Sequence, residues 1–245
     1  MAVTQADHYY MLNRSGTRSI ADTVATVGGI ALAVLGALSL EGVNPFLFPA
    51  INNIIAGIVL ILLSGQTSLD VRRLATSSGP SERPATFDVP EFGGGMGAGV
   101  MAGIAGIVLG ALGIIGWFPI VLSACAEITF GAALIFDFVN LLQLRSAEPI
   151  VSARATPAPI PAETAGQSLS VVPAMFAANF SCVLEAVALI TLAIIALVMN
   201  GSGLAVALVG IAFITLGGFF IVSGMGNTLM GAAGNQRQGR AVMRS

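Results

Sequence analysis

Six uninterrupted apolar runs, at residues 20–40, 47–64, 97–116, 118–142, 176–199 and 203–226, constrain this chain more than any motif does. Each is long enough to cross a bilayer as a helix, because about 20 helical residues rise about 30 Å, the thickness of the hydrocarbon core. Only 9% of the 245 residues are charged, whereas a soluble domain carries about 25%. A β-barrel, the other way to span, needs alternating segments of about ten residues. The runs here are continuous and rich in Ala, Leu, Ile and Gly, so the expected class is all-α. The first 19 residues are polar, with Asp7, His8, Arg14 and Arg18. The first run therefore reads as a retained anchor and not as a cleaved signal.

An internal repeat orders these spans. Gly29-Ile30-Ala31 followed by Leu35-Gly36-Ala37-Leu38 returns 74 residues later as Gly103-Ile104-Ala105 followed by Leu109-Gly110-Ala111-Leu112. The second arm keeps the shift, with Gly57 and Leu60-Ile61 matching Gly131 and Leu134-Ile135. A weaker third copy puts Ala186 at the glycine position and Leu192-Ala193-Ile194-Ile195 at the Leu-Gly-Ala-Leu position. The expected fold is an integral membrane six-helix bundle of three parallel helical-hairpin repeats, at 20–64, 97–142 and 176–226. Each unit holds two spans and so begins and ends on one side. Inverted repeats, common in alternating-access transporters, need an odd number of spans per unit. Around the hairpins lie a tail (1–19), a loop (65–96), a Pro-rich loop (143–175) and a second tail (227–245).

The basic residues predict the orientation. There is no lysine, and all ten arginines (14, 18, 72, 73, 83, 145, 154, 237, 240 and 244) fall in the tails and the two long loops. The three short turns carry none, and Glu41 sits in the first. The positive-inside rule then places both termini in the cytoplasm of a cell whose inner membrane holds the protein. Ser77 to Pro84 and Ala155 to Ala162 read as extended linkers. Residues 68–75 read either as a continuation of the second helix or as a segment at the headgroups, where Arg72 and Arg73 meet anionic lipid.

Helix packing is expected to rest on small residues, which let backbones approach where no water drives association. Gly99, Gly103, Gly106 and Gly110 contain two GxxxG spacings, and Gly217 and Gly218 are expected to act alike in the sixth helix. Cys125 and Cys182 read as buried free thiols.

Polar residues inside the spans are the only candidates for a site. Glu127 falls near the middle of the fourth run and Glu185 early in the fifth. Each must face the interior, pair or stay protonated, because an ionised carboxylate in hydrocarbon is costly. Asn52, Asn53, Asn179 and Ser181 are candidate partners, while Asp22 and Asp137 read as capping or topological residues near helix ends. In the repeat, Glu127 occupies the position of Asn53 and, when Gly217 is matched to Gly131, of Phe213. Glu185 occupies that of Gly28 and Ala102. The acids are not repeated as a ring, which argues against a symmetric pore.

Enzyme signals are lacking in the sequence. The lone histidine, His8, lies in the tail, so no histidine-based metal centre or triad is expected within the membrane. No cofactor is expected. A net charge of −2 with scattered arginines disfavours nucleic acid. Membrane lipids are the expected partners, with a homo-oligomer or other membrane proteins as further ones.

The repeat unit resembles that of the HdeD family of bacterial acid-resistance membrane proteins. The resembling stretches are 29–40 with 53–65, 103–116 with 127–136, and 186–198 with 217–224. Each pairs an apolar helix bearing an internal Leu-Gly with a short turn, often holding proline (Pro45, Pro119), and a Gly-containing helix. The likeness covers the spans but not the tails or long loops. It implies a six-span hairpin protein without enzymatic activity, serving tolerance of acid and envelope stress or acting as a packing subunit. Two alternatives follow from the residues: an accessory subunit of a larger, energy-converting membrane complex, and a small proton-coupled transporter or channel using Glu127 and Glu185.

Overall fold

The computed structural model describes residues 5–77, 89–152 and 181–242, with side chains over 20–65, 97–139 and 181–225. Among the described residues the chain forms six helices and no strands: α1 (Gln5–Leu40), α2 (Leu47–Ser77), α3 (Val89–Ile114), α4 (Pro119–Ser152), α5 (described over Ser181–Val198) and α6 (Gly203–Val242). Each contains one segment long and apolar enough to cross a membrane: Ile20–Leu40, Leu47–Gly65, Gly97–Ile114, Pro119–Val139, Ser181–Val198 and Gly203–Met225. The protein is a multi-pass membrane protein of the all-α class.

The helices outrun the spans. Residues 5–19, 143–152 and 227–242, expected as tail or loop, are helical, as are 66–77. The 68–75 segment continues α2 without a break. Polarity marks the end of a membrane span, not of a helix. Leu, Ala, Arg and Gln are all good helix formers, and no proline or glycine interrupts Gln66–Ser77. The Pro-rich stretches near 80–84 and 155–162 lie outside the described residues.

The short turns end their helices by a defined device. Gly42 and Gly116 adopt φ of 78° and 94°, a left-handed conformation that glycine enters without the Cβ penalty. In the first turn Val43 N–H donates to Leu38 C=O and Gly42 N–H to Ser39 C=O; in the second, Trp117 donates to Leu112 and Gly116 to Gly113. These nested bonds form the Schellman cap, which satisfies carbonyls that a helix end leaves free. Asn44 and Phe118 follow, also at positive φ (44° and 37°). The third turn places Gly201 at φ 92° but uses a different bond set, with Asn200 N–H donating to Leu197 C=O.

Helices α2, α4 and α6 each touch the other two. Of their membrane-crossing windows 50%, 50% and 44% is buried, against 33%, 33% and 22% for α1, α3 and α5. The second arms of the hairpins are therefore the inner helices, and the first arms flank them. The inner helices present matched sets of buried side chains: Ala56, Phe130 and Leu216 in one, Leu60, Leu134 and Phe220 in another, all within one apolar cluster. Small residues on one helix face large ones on another, which is how interiors reach close packing.

Three seams join inner to flanking helices. At α6–α1 a methyl on Gly29 would lie 2.5 Å from the Gly217 carbonyl oxygen and 3.0 Å from Ile221 Cγ1. At α2–α3 a methyl on Gly103 would lie 2.5 Å from the Gly57 carbonyl oxygen, and one on Gly57 would lie 3.0 Å from Ile107 Cγ1. At α4–α5 a methyl on Gly131 would lie 2.9 Å from the Ala186 carbonyl oxygen and 2.7 Å from Ile190 Cγ1. Glycine is required on both sides of the first two seams and at Gly131 in the third, because no real Cβ fits so near a backbone atom. The third accommodates the Ala186 side chain and is the looser of the three.

Candidate functional site

The polar residues named from the sequence separate into two places. Glu127 on α4 and Asn52 and Asn53 on α2 are all fully buried. Asn53 Nδ2 donates to Ser123 Oγ at 3.0 Å, tying α2 to α4. Ser123 is one helical turn before Glu127, so the two side chains share the inner face of α4. Asn52 Nδ2 points the other way, to the Leu32 carbonyl on α1, at a long 3.5 Å. Asn53, Ser123 and Glu127 are thus the polar residues of this part of the α2–α4 contact, and all three are fully buried.

The donors of this cluster do not pair with its acid: Asn53 Nδ2 is directed to Ser123 Oγ. Both Glu127 carboxylate oxygens and Asn53 Oδ1 are buried without a hydrogen-bond partner. None of the ten arginines falls within a span, and there is no lysine. An ionised carboxylate left unpaired in such surroundings costs several kcal/mol. When ionised, the group has no side-chain cation of the spans to balance it.

Glu185 and Asp137 lie elsewhere. Glu185 is half-buried on α5 beside the Thr215 hydroxyl of α6, which donates to the Ala212 carbonyl at 2.9 Å, and Glu185 Oε1 has no partner. Asp137, also half-buried, and Glu185 are both within electrostatic range of the Cys182 thiol. Cys182 Sγ donates a weak bond, at 3.6 Å, to the Leu134 carbonyl. Glu127 and Glu185 thus do not form one acidic pair.

Several expectations are corrected. Asp22 and Asp137 do not cap helices: α1 begins at Gln5 and α4 runs on to Ser152, so both acids sit inside helices. Asp22 is buried, and Thr26 Oγ1 donates to its backbone carbonyl at 2.9 Å. Gly218 does not pack, because open space lies where its side chain would be, while its neighbour Gly217 meets Gly29. Consecutive helical residues point about 100° apart, so only one can face a given partner. Cys125 and Cys182 are free, but half-buried and not fully so. Ser181 is exposed, and Asn179 lies outside the described residues.

The remaining packing glycines all meet neighbours. Gly99 faces Ser64, Gly106 faces the Phe130 ring and the Asn53 carbonyl, and Gly110 faces Ala50 and Ile54. Three polar contributors escaped sequence reasoning: Ser123, Thr215 and Ser64. Ser123 was visible in principle, standing four residues before Glu127 on the same helical face.

No cluster of three or more His, Cys, Asp or Glu suited to a metal occurs among the described residues. An open depression at the α3–α4 turn, lined by Gly116, Trp117, Phe118 and Pro119, lies far from the buried acid. Trp117 and Phe118 are strongly exposed there, as aromatic residues at a membrane–water boundary are. Comparison with known proteins finds no matching family model, no matching curated protein and no matching solved structure.

Proposed function

We propose that this chain is a non-enzymatic, HdeD-like protein of the bacterial inner membrane, with both termini in the cytoplasm, that serves tolerance of acid and envelope stress as a sealed six-helix unit. The observation that carries the reading is the recurrence of one seam. Gly57 against Gly103, Gly131 against Ala186 and Gly217 against Gly29 are the same two repeat positions meeting three times. Such recurrence is what a protein of three similar hairpins requires, and hairpins of this pattern are what the resembling family is built from.

Other features support it. One apolar cluster holds Phe130, Phe213, Phe220 and Leu216 of the inner helices with Leu189 of α5, all fully buried. A packed apolar centre suits a barrier better than a conduit. The arginines border the chain termini and the long connections, which favours cytoplasmic termini. The non-enzymatic reading rests on the lone His8 and on the lack of a paired nucleophile and base in the spans.

Survival under acid challenge tests the role. A strain lacking the gene is expected to survive exposure to strong acid markedly less well than its parent, and to recover when the gene is restored. Equal survival of the two strains would refute the proposal.

A further inference from the structure

We propose that Glu127, Asn53 and Ser123 together hold one monovalent cation, a proton or a desolvated sodium ion, in the dry centre of the bundle. The site rests on burial, on the α2–α4 hydrogen bond and on the four-residue spacing of Ser123 and Glu127, and does not depend on the stress-tolerance role. Four oxygen atoms contribute. The two Glu127 oxygens and Asn53 Oδ1 are buried and unpartnered. Ser123 Oγ accepts from Asn53 Nδ2 and keeps a second lone pair. Native interiors seldom leave such acceptors empty, and each exception calls for an occupant.

The chemistry of the set selects the occupant. Carboxylate, amide carbonyl and hydroxyl oxygens are hard ligands that suit hard cations and not thiophilic metals. One carboxylate balances one positive charge. A divalent ion would leave an unbalanced charge in a place of low dielectric, where it is strongly disfavoured. Phe213 and Asn53 occupy the repeat positions matching Glu127, and neither adds a charge. The site is therefore single and off-centre, not a ring along an axis.

The other titratable groups in the spans do not share the site. Asp137, Cys182 and Glu185 gather at α4 and α5. Asp22 lies at the α1–α6 seam, its carbonyl 2.6 Å from where a methyl on Gly224 would be. Cys125 is a half-buried thiol of α4. The flanking α3 brings Gly106 toward Asn53 and no charged side chain.

Thermal unfolding of the purified full chain in detergent tests this. The wild type is compared with Glu127→Gln in sodium chloride and in choline chloride of equal ionic strength, across a range of pH. A ligand bound by the folded protein alone raises its stability. If sodium is the occupant, wild-type stability rises with sodium but not choline, and the gain grows as protons become scarcer. If a proton is the occupant, stability falls as pH rises and sodium has no effect. Either pattern, absent in Glu127→Gln, upholds the site and names its source. Ser123→Ala and Asn53→Ala keep the carboxylate but lose one oxygen each. Each should weaken half-saturation by about tenfold, or move the pH midpoint by about one unit. Wild-type responses identical to those of Glu127→Gln, or unchanged midpoints in both alanine variants, would overturn the proposal.

Discussion

Gly29 and Gly217 meet backbone to backbone: a methyl on either would lie 2.5 Å from the carbonyl oxygen of the other. Through this pair α1, the first helix, closes on α6, the last. Gly36 and Gly210 extend the contact two turns further, a methyl on Gly36 falling 2.8 Å from the Gly210 carbonyl oxygen. The obstructing atoms belong to helix backbone and cannot rotate away. Gly29→Leu and Gly217→Leu should each destabilise the protein by at least the ~1–3 kcal/mol typical of overpacking. Gly218→Ala, one residue away and facing open space, should be neutral or stabilising by up to ~1 kcal/mol. Unfolding in detergent measures all three, and equal losses at Gly217 and Gly218 would refute the close approach.

The seams should also differ among themselves. At Gly131 the nearest obstacle is Ile190 Cγ1 and the Ala186 carbonyl oxygen stands at 2.9 Å, whereas at Gly57 the nearest obstacle is the Gly103 carbonyl oxygen itself. The Ile190 side chain can shift, and the backbone approach at Gly131 is the longer of the two. Gly131→Ala is therefore expected to cost less than Gly57→Ala by about 1 kcal/mol. Parallel unfolding curves for the two variants decide the point, and a reversed order would show that α5 is not the loosest helix.

The bond between Asn53 and Ser123 joins two inner helices, so its loss should be felt as coupling. Hydrogen bonds between membrane helices are worth about 0.6 kcal/mol on average and rarely more than ~1.7. A double-mutant cycle with Asn53→Ala and Ser123→Ala should give a coupling in that range. A coupling of zero would mean that the pair is not formed.

Phe118 carries a backbone strain that its counterpart does not. Asn44, 74 residues earlier, adopts the same left-handed turn conformation, which asparagine tolerates through its short polar side chain. Phe118→Asn should raise stability in detergent by up to ~1 kcal/mol. Gly116→Ala, at φ 94°, should lower it by about 1–2 kcal/mol.

Much of the architecture was legible from residues alone, for identifiable reasons. Hydropathy located all six spans to within a few residues, because a bilayer demands a fixed apolar length. Placing Glu127 beside Asn53 in the repeat pointed to the right interior level. Neighbour identity was less legible. That Gly217 packs while Gly218 does not is a matter of helix phase, set by the partner's position. That Glu185 joins Thr215 and Cys182, and not Glu127, depends on how α5 lies against α4 and α6. The far end of α4 was not legible, because polar residues such as Gln143 end the apolar run without ending the helix, whereas continuation of α2 through Arg72 was one of the two readings of 68–75.

Ion flux through the reconstituted protein tests the sealed-bundle account most directly. Vesicles holding the full chain, given a pH gradient and a fluorescent pH indicator inside, should discharge the gradient no faster than protein-free vesicles. Phe130, Phe213 and Phe220 are fully buried in one apolar cluster, which favours a sealed interior. A protein-dependent proton flux that disappears in Glu127→Gln would contradict the account and make the chain a transporter or channel.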